Sequence, residues 1–247
     1  AEEPTTDTLT LLVPRNIDAL VRMNADRLLY ENINVYDART SVAMNDGAFS
    51  VDSLTARTDF GTAYLNMLYS SREIEKLNLA LDLGFSNVNI DDFLISFPQV
   101  KEMMPVITNL HGQVGARLAG SMDIFPNMDL DISSLNAVLN ISGSDLTLTQ
   151  DPTIRKVARM MLIRKKGDLN ISDMDIQVAV HDNVLRLYPF SFGMEKYRFA
   201  LLGENDLAQN MYYHLSVLKS PIPFKFGINI KGTFDNPKFR FGGAKYK

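Results

Sequence analysis

ISDMDIQVAVHDNVLRLYPFSFGMEKYRFALLGENDLAQNMYYHLSVL, residues 171–218, decides the fold class. Met174, Ile176, Val178 and Val180 alternate with Asp175, Gln177, Ala179 and His181. Successive side chains of an extended strand point to opposite faces, so this alternation predicts a half-buried β-strand. His181-Asp182-Asn183 supplies turn residues, and Leu185 and Leu187 resume the alternation around Arg186. Phe190/Phe192, Tyr197/Phe199/Leu201 and Tyr213/Leu215/Val217 follow, separated by turn-like residues at 193–196 and 203–210. The stretch reads as an antiparallel meander with one apolar, aromatic-rich face.

Working outward, the same pattern occurs 136 positions earlier. Asp173 falls on Asp37, Val178 on Val42, Val180 on Met44, Asp182 on Asp46 and Asn183 on Gly47. Continued without a gap, the offset lays Leu187 on Val51, Phe190 on Leu54, Leu201 on Leu65, Tyr213 on Leu77, Leu215 on Leu79 and Val217 on Leu81. Matching turns as well as alternation at one offset points to two copies of one unit. Repeat 1 is expected over about 13–88, a helical connection over 89–110 and repeat 2 over about 111–247. The polar start, residues 1–12, reads as a linker from a longer upstream protein.

Asn45-Asp46-Gly47, flanked by Val42/Met44 and Phe49/Val51, is the strongest hairpin signal. Leu77, Leu79, Leu81 and Leu83 close the first copy with a period of two. Asn89 and Asp92 have the spacing of a helix cap ahead of Phe93, Leu94 and Phe97, and Ser96 can cap a second short helix carrying Val100, Met103, Met104 and Ile107. Residues 135–148 read as two strands joined at Gly143-Ser144-Asp145. DPTIRKVARMML is the clearest helix: Asp151 caps it, Pro152 opens it, and Ile154, Val157, Ala158, Met161 and Leu162 form one apolar stripe. These elements predict an α+β, β-dominated fold, a strongly curved antiparallel sheet from two repeated meanders with short helices.

The net charge of −4 over 247 residues lacks the basic face of a nucleic-acid binder. The charge is uneven, since residues 219–247 carry seven Lys or Arg against Asp235, a net +6, leaving −10 on the rest. A basic end can attract anionic headgroups, or it can protect edge strands from aggregation. With no cysteine there is no disulfide, thiolate nucleophile or Cys-ligated metal. No apolar run approaches the ~20 residues of a membrane span.

Catalytic chemistry has few candidates. His111, His181 and His214 lack ligand spacing, His181 reading as a turn residue and His214 as the outward partner of Tyr213. Asp91/Asp92 suit a helix start and Asp173/Asp175 the solvent side of a strand. No catalytic residue, metal site or cofactor is assigned, and no enzyme activity is expected. The apolar stripe Ile176, Val178, Val180, Leu185, Leu187, Phe190, Phe192, Tyr197, Phe199, Leu201, Tyr213, Leu215 and Val217 is the candidate site. It can be ordinary core beneath the basic helix, or a face that holds acyl chains.

The ending YHLSVLKSPIPFKFGINIKGTFDNPKFRFGGAKYK and the stretch DDFLISFPQVKEMMPVITNLHGQVGARL resemble the C-terminal region of AsmA-like proteins. ADRLLYENINVYDARTSVAMNDGAFSVDSLTARTDFG is similar to that family's recurring strand-and-glycine unit. The resemblance implies a trough-like sheet, sometimes called a β-taco, with an apolar interior. It further implies a periplasmic domain, anchored to the inner membrane by an upstream segment, that binds or conducts phospholipid or another acyl lipid in outer-membrane biogenesis and lipid homeostasis. Envelope proteins are the other implied partners, through a scaffold or chaperone role in outer-membrane protein assembly by β-augmentation. The family offers no catalytic motif. The helix at 152–163 departs from a continuous trough, because it can plug it.

Overall fold

The computed structural model describes residues 10–31, 33–98, 101, 105–160, 163–206, 210–221, 225–233 and 236–245. Among the described residues, sixteen strands form one antiparallel sheet. Strands β1 (Ala19–Tyr30), β2 (Ile33–Asn45), β3 (Ala48–Thr58), β4 (Gly61–Ser70), β5 (Leu77–Asn89), β7 (Gln113–Ile124) and β8 (Leu130–Gly143) run in chain order. The order continues through β11 (Met174–His181), β12 (Val184–Met194), β13 (Tyr197–Asp206), β14 (Met211–Lys219), β15 (Phe226–Gly232) and β16 (Pro237–Gly242). Three short strands leave this path: β6 (Leu110–His111), β9 (Leu146–Leu148) and β10 (Leu169–Ser172). β1 and β16 do not pair, so the sheet is not closed into a barrel.

The turn residues act as the sequence dictates. Asp46 and Gly47 take φ of 42° and 73°, the two left-handed positions of a tight hairpin between β2 and β3. Asp182 and Asn183 do the same at 51° and 62° between β11 and β12. The offset of 136 holds to the residue over β3 and β4 against β12 and β13. Both hairpin ends correspond (Thr58↔Gly61, Met194↔Tyr197), as do the register shifts at Val51/Leu54 and Leu187/Phe190. Asp37 and Asp173 both have positive φ, 51° and 55°. Beyond β4 the ungapped alignment fails. Tyr213, Leu215 and Val217 occupy the places of Leu81, Leu83 and Phe85, because Met67 pairs with Leu81 across thirteen intervening residues and its counterpart Gly203 pairs with Tyr213 across nine, four fewer. The turn expected from Gly203 starts later, since β13 continues to Asp206.

Two excursions leave the sheet at the same rim. Asn89 and Gln113 are paired, and residues 90–112 loop out between them. Gly143 and Met174 are also paired, and residues 144–173 loop out between those. The first excursion holds α1 (Ile90–Ser96), a 3₁₀ turn (Pro105–Asn109) and β6; the Asn89 carboxamide accepts from the Asp91 and Asp92 amides, capping α1. The second holds β9, α2 (Pro152–Met160) and β10, with the Asp151 carboxylate accepting from the Ile154 amide at 2.7 Å. β9 therefore does not pair with β8, as adjacency in sequence suggests; it joins β6 and β10. Of the second helix expected after Ser96, residues 99, 100 and 102–104 lie outside the described set, as do Met161 and Leu162.

These excursions form a plug. Ile90 and Leu94 of α1, Leu146 of β9, Ala158 of α2, Ile163, and Leu169 and Ile171 of β10 share one core with Met194, Phe199, Leu215, Val217 and Ile228 of the sheet. Phe60, Phe85, Phe93 and Phe97 extend the packing toward β3–β5, with ring centroids 4.9–6.4 Å apart.

The opposite rim has a strap. Thr10, Leu11, Val13 and Pro14 bond to Pro126, Tyr69, Ser71 and Gly47 respectively, and Val13 packs with Tyr69, Leu77 and Ile124. Residues 10–12, expected to be linker, thus lie docked on the sheet. Among the described residues no helix is long and apolar enough to cross a membrane.

Candidate functional site

Cross-strand partners share a face, so the registers trace one surface across the thirteen-strand path. Starting at Val42, it passes through Val51, Met67, Leu81, Gly120, Ala137, Val180, Leu185 and Asn205 to Met211. A parallel row runs Leu54, Leu65, Leu83, Leu118, Leu139, Val178, Leu187, Gly203, Tyr213 and Ile230. The face is apolar almost throughout. The reverse face carries Asp52, Asn66, Asp82, Arg117, Asn140, Gln177, Arg186, Glu204 and Lys231. One alternation thus separates a polar face from an apolar face.

All thirteen residues of the candidate stripe stand on this apolar face, but not in one environment. Phe199, Leu215 and Val217 are 0%, 6% and 1% exposed and belong to the core under the plug, where they have no surface to offer a ligand. Phe192, Tyr197 and Leu201 are half-buried against the same core. Ile176, Val178, Val180, Leu185, Leu187, Phe190 and Tyr213 are half-buried and belong to none of the three packed clusters. Phe190 stacks on Phe192 at 5.6 Å, and Phe192 meets Phe199 at 5.4 Å, which joins the open part of the face to the closed part.

The uncovered area is larger than the stripe. Val42, Val51, Leu54, Leu65, Met67, Leu81, Leu83, Leu118 and Leu139 are likewise half-buried and outside every packed cluster. The alternation of Leu77–Leu83 marked them as strand residues; that their face joins the second meander's face follows only from the β5–β7–β8–β11 pairing. The plug packs along one rim and the strap along part of the other, and the half-buried residues of the middle belong to the packed core of neither. Thirteen strands at about 4.8 Å make this face roughly 58 Å wide.

The histidines take other partners than the sequence suggests. His111 Nδ1 is 2.7 Å from the Asp91 carboxylate, beside α1. His181 ends β11 and lies 3.1 Å from Asp182. His214 is on the polar face, yet 1% exposed, because the chain at 243–245 folds back over it. Its Nδ1 lies 2.9 Å from Asn229 Oδ1 and its Nε2 3.0 Å from Ser216 Oγ, which in turn accepts from the Lys245 amide. Hydroxyl, imidazole and carboxamide thus lie in a line, but Ser216 is 0% exposed and no reactant reaches its oxygen. Among the described residues no three His, Asp or Glu side chains are gathered as metal ligands.

Electrostatic shifts are confined to local contacts. Glu195 is held below the ordinary carboxylate range by the Asn170 amide first and the Lys165 ammonium second. Burial pushes the Tyr213 phenol up, and its hydroxyl donates to Asn205 Oδ1 at 2.7 Å. Neither group sits in a cleft with a nucleophile. What the arrangement offers is apolar area with polar margins.

Comparison with protein-family models, with curated proteins and with solved structures finds no match for this chain.

Proposed function

We propose that this domain holds lipid acyl chains on its apolar face, as part of an AsmA-like periplasmic protein anchored to the inner membrane. The carrying observation is the uncovered middle of that face. Folded chains rarely leave contiguous apolar area beyond a few hundred Å² uncovered unless a partner occupies it. Here the Leu65, Leu83, Leu118, Leu139, Val178 and Leu187 row is outside every packed cluster. An acyl chain gains roughly 0.8 kcal/mol per buried methylene, without specific polar contacts. Open sheets of this strand number curl to bury a face. A plug that packs against β5 on one side and β15 on the other supports a curved trough.

The test is native mass spectrometry with lipid extraction, on protein purified from a host with an envelope. Wild type is compared with Leu83→Asp and Val178→Asp, which charge the open middle and spare the core. Lipid carried by wild type and absent from folded variants supports the reading. Wild type that carries none and takes none up from detergent rejects it.

The edges support a second reading, a scaffold that accepts a strand from an envelope protein. β1 is a free edge of twelve residues without proline, with Leu20, Val21, Met23, Leu28 and Leu29 between 49% and 69% exposed. β16 is a six-residue edge that begins with proline and carries Lys238 and Arg240. Met23→Pro blocks β1 pairing at the margin of the apolar face, four strands away from Leu83, so a partner lost with this variant and kept with Leu83→Asp favours the scaffold.

A further inference from the structure

A second cleft lies on the solvent side of the plug. It has a volume of about 700 Å³ and lies between α2 and the segment 163–168, lined by Arg155, Arg159, Arg164, Lys165, Lys166 and Asp168. Its floor is the buried Ile163. The cleft is built, not a chance crowding of surface charge. The Gln150 carboxamide donates to the Lys165 carbonyl at 3.1 Å and to the Gly167 carbonyl, fixing the loop against the start of α2. Glu195 anchors Lys165 at 2.6 Å, and the Gln150 carbonyl accepts from Arg155 at 3.1 Å.

The remaining cations are unneutralised. Among the described residues, Arg159, Arg164 and Lys166 have no carboxylate partner, and Asp168 is the one acid in the lining. Elsewhere Arg57 pairs with Asp37, Arg72 with Asp46, Arg117 with Asp82, Arg186 with Glu204 and Arg198 with Asp173, and the arginines that lack such a partner, among them Arg22, Arg39 and Arg240, stand on separate strands and are not gathered around one hollow. Gathering like charges around one hollow costs Coulomb energy that an anion would return. Planar guanidinium groups match phosphate oxygens in particular. Lys196, Lys219 and Lys225 lie on the same rim, at the ends of β12, β14 and β15, and extend the positive field beyond the cleft.

We propose that this cleft holds the phosphate of an anionic lipid headgroup at a bilayer surface, so that the plugged rim is the membrane-facing end of the domain. The inference deepens the lipid reading by naming the headgroup class, and it rests on that reading only for the cargo. A bilayer fits better than a lone anion because the extra lysines spread along the rim, where a flat anionic surface reaches them together.

The full chain is floated with vesicles of phosphatidylcholine alone and of an equal mixture with phosphatidylglycerol. Wild type is expected to bind only the mixture. Arg155→Gln/Arg159→Gln/Arg164→Gln is expected to weaken that binding by about tenfold or more. Arg22→Gln/Arg39→Gln/Arg240→Gln, which removes equal charge from the sheet, is expected to change it little. Equal binding to both vesicles, or equal loss in both variants, overturns the proposal. So does inorganic phosphate that binds wild type as tightly as the mixed vesicles do. Acyl-lipid content is measured on the same preparations. Vesicle binding by protein that carries no lipid upholds the cleft and rejects the trough; lipid-loaded protein that ignores the mixture does the reverse.

Discussion

Gly203 and Tyr213 stand directly opposite each other on β13 and β14, and the tyrosine ring lies where a side chain on residue 203 would go. A Cβ there would also come within 2.7 Å of the Tyr212 carbonyl oxygen. Gly203→Ala therefore has to push ring or backbone aside, at a cost of about 1–3 kcal/mol. Urea denaturation measures it, and the companion Tyr213→Ala, which removes the Cγ and ring atoms that fill the space, should make Gly203→Ala cost less in the double variant than in the wild-type background.

Glu195 predicts an acid-sensitive hairpin. Its folded-state pKa is depressed, so its contribution is complete above the ordinary glutamate range and disappears as pH falls through the folded value. Glu195→Gln is expected to cost about 1–2 kcal/mol near neutral pH and to flatten the acid side of the stability profile. Denaturation midpoints for both proteins across the acid range check the sign. A variant whose profile falls as steeply as wild type would remove Glu195 from the account.

Packed and open leucines should respond differently to truncation. Leu146 is 0% exposed inside the plug, so Leu146→Ala leaves a cavity and is expected to cost about 2–5 kcal/mol. Leu83 lies on the uncovered middle, and Leu83→Ala in delipidated protein is expected to cost about 1 kcal/mol or less. Equal losses would mean that the middle is packed as tightly as the plug.

Ser216 ties the end of the described chain to the sheet. Ser216→Ala removes the acceptor for the Lys245 amide and leaves buried His214 Nε2 without its partner, a loss of about 1–3 kcal/mol. Faster hydrogen exchange at the Lys245 amide and quicker trimming by carboxypeptidase are the expected readouts. Unchanged exchange would show that residues 243–245 are held by other contacts.

Local chemistry explains which parts of this fold were legible in the sequence. Asp46-Gly47 and Asp182-Asn183 dictate their turns because few other residues tolerate two left-handed positions, and the caps Asn89 and Asp151 start α1 and α2 for equally local reasons. The face of each stripe residue followed from parity within each run, except that Phe190 and Phe192 join the face of Leu187 only through the bulge in β12 between Leu187 and Phe190. Which of them are covered did not, because coverage depends on two excursions returning to the rim. Leu146 and Leu148 carry a strand pattern that names no partner, so β9 looked like a neighbour of β8. Val217 looked the same as Val178 in sequence, yet one is core and the other is open. The burial of His214 depends on residues 243–245 and the clustering of Arg159 with Arg164 on the clamp from Gln150, none of which a periodicity can express.

The pairs Asn89–Gln113 and Gly143–Met174 give the plug a topological character. Each excursion begins and ends at residues already bonded to each other, so the main ladder is complete without either. Among the described residues, strand pairing joins the plug to the path through Ile171 and Ser172 with β12, reinforced by the bonds of Asn170 to Glu195. The plug is thus a tethered stopper, not a woven seam. Its length and sequence can change while every long strand keeps its ladder partners, so long as the replacement still covers Phe199, Leu215 and Val217, and a lineage or an engineer could retune this end of the sheet without redesigning the sheet.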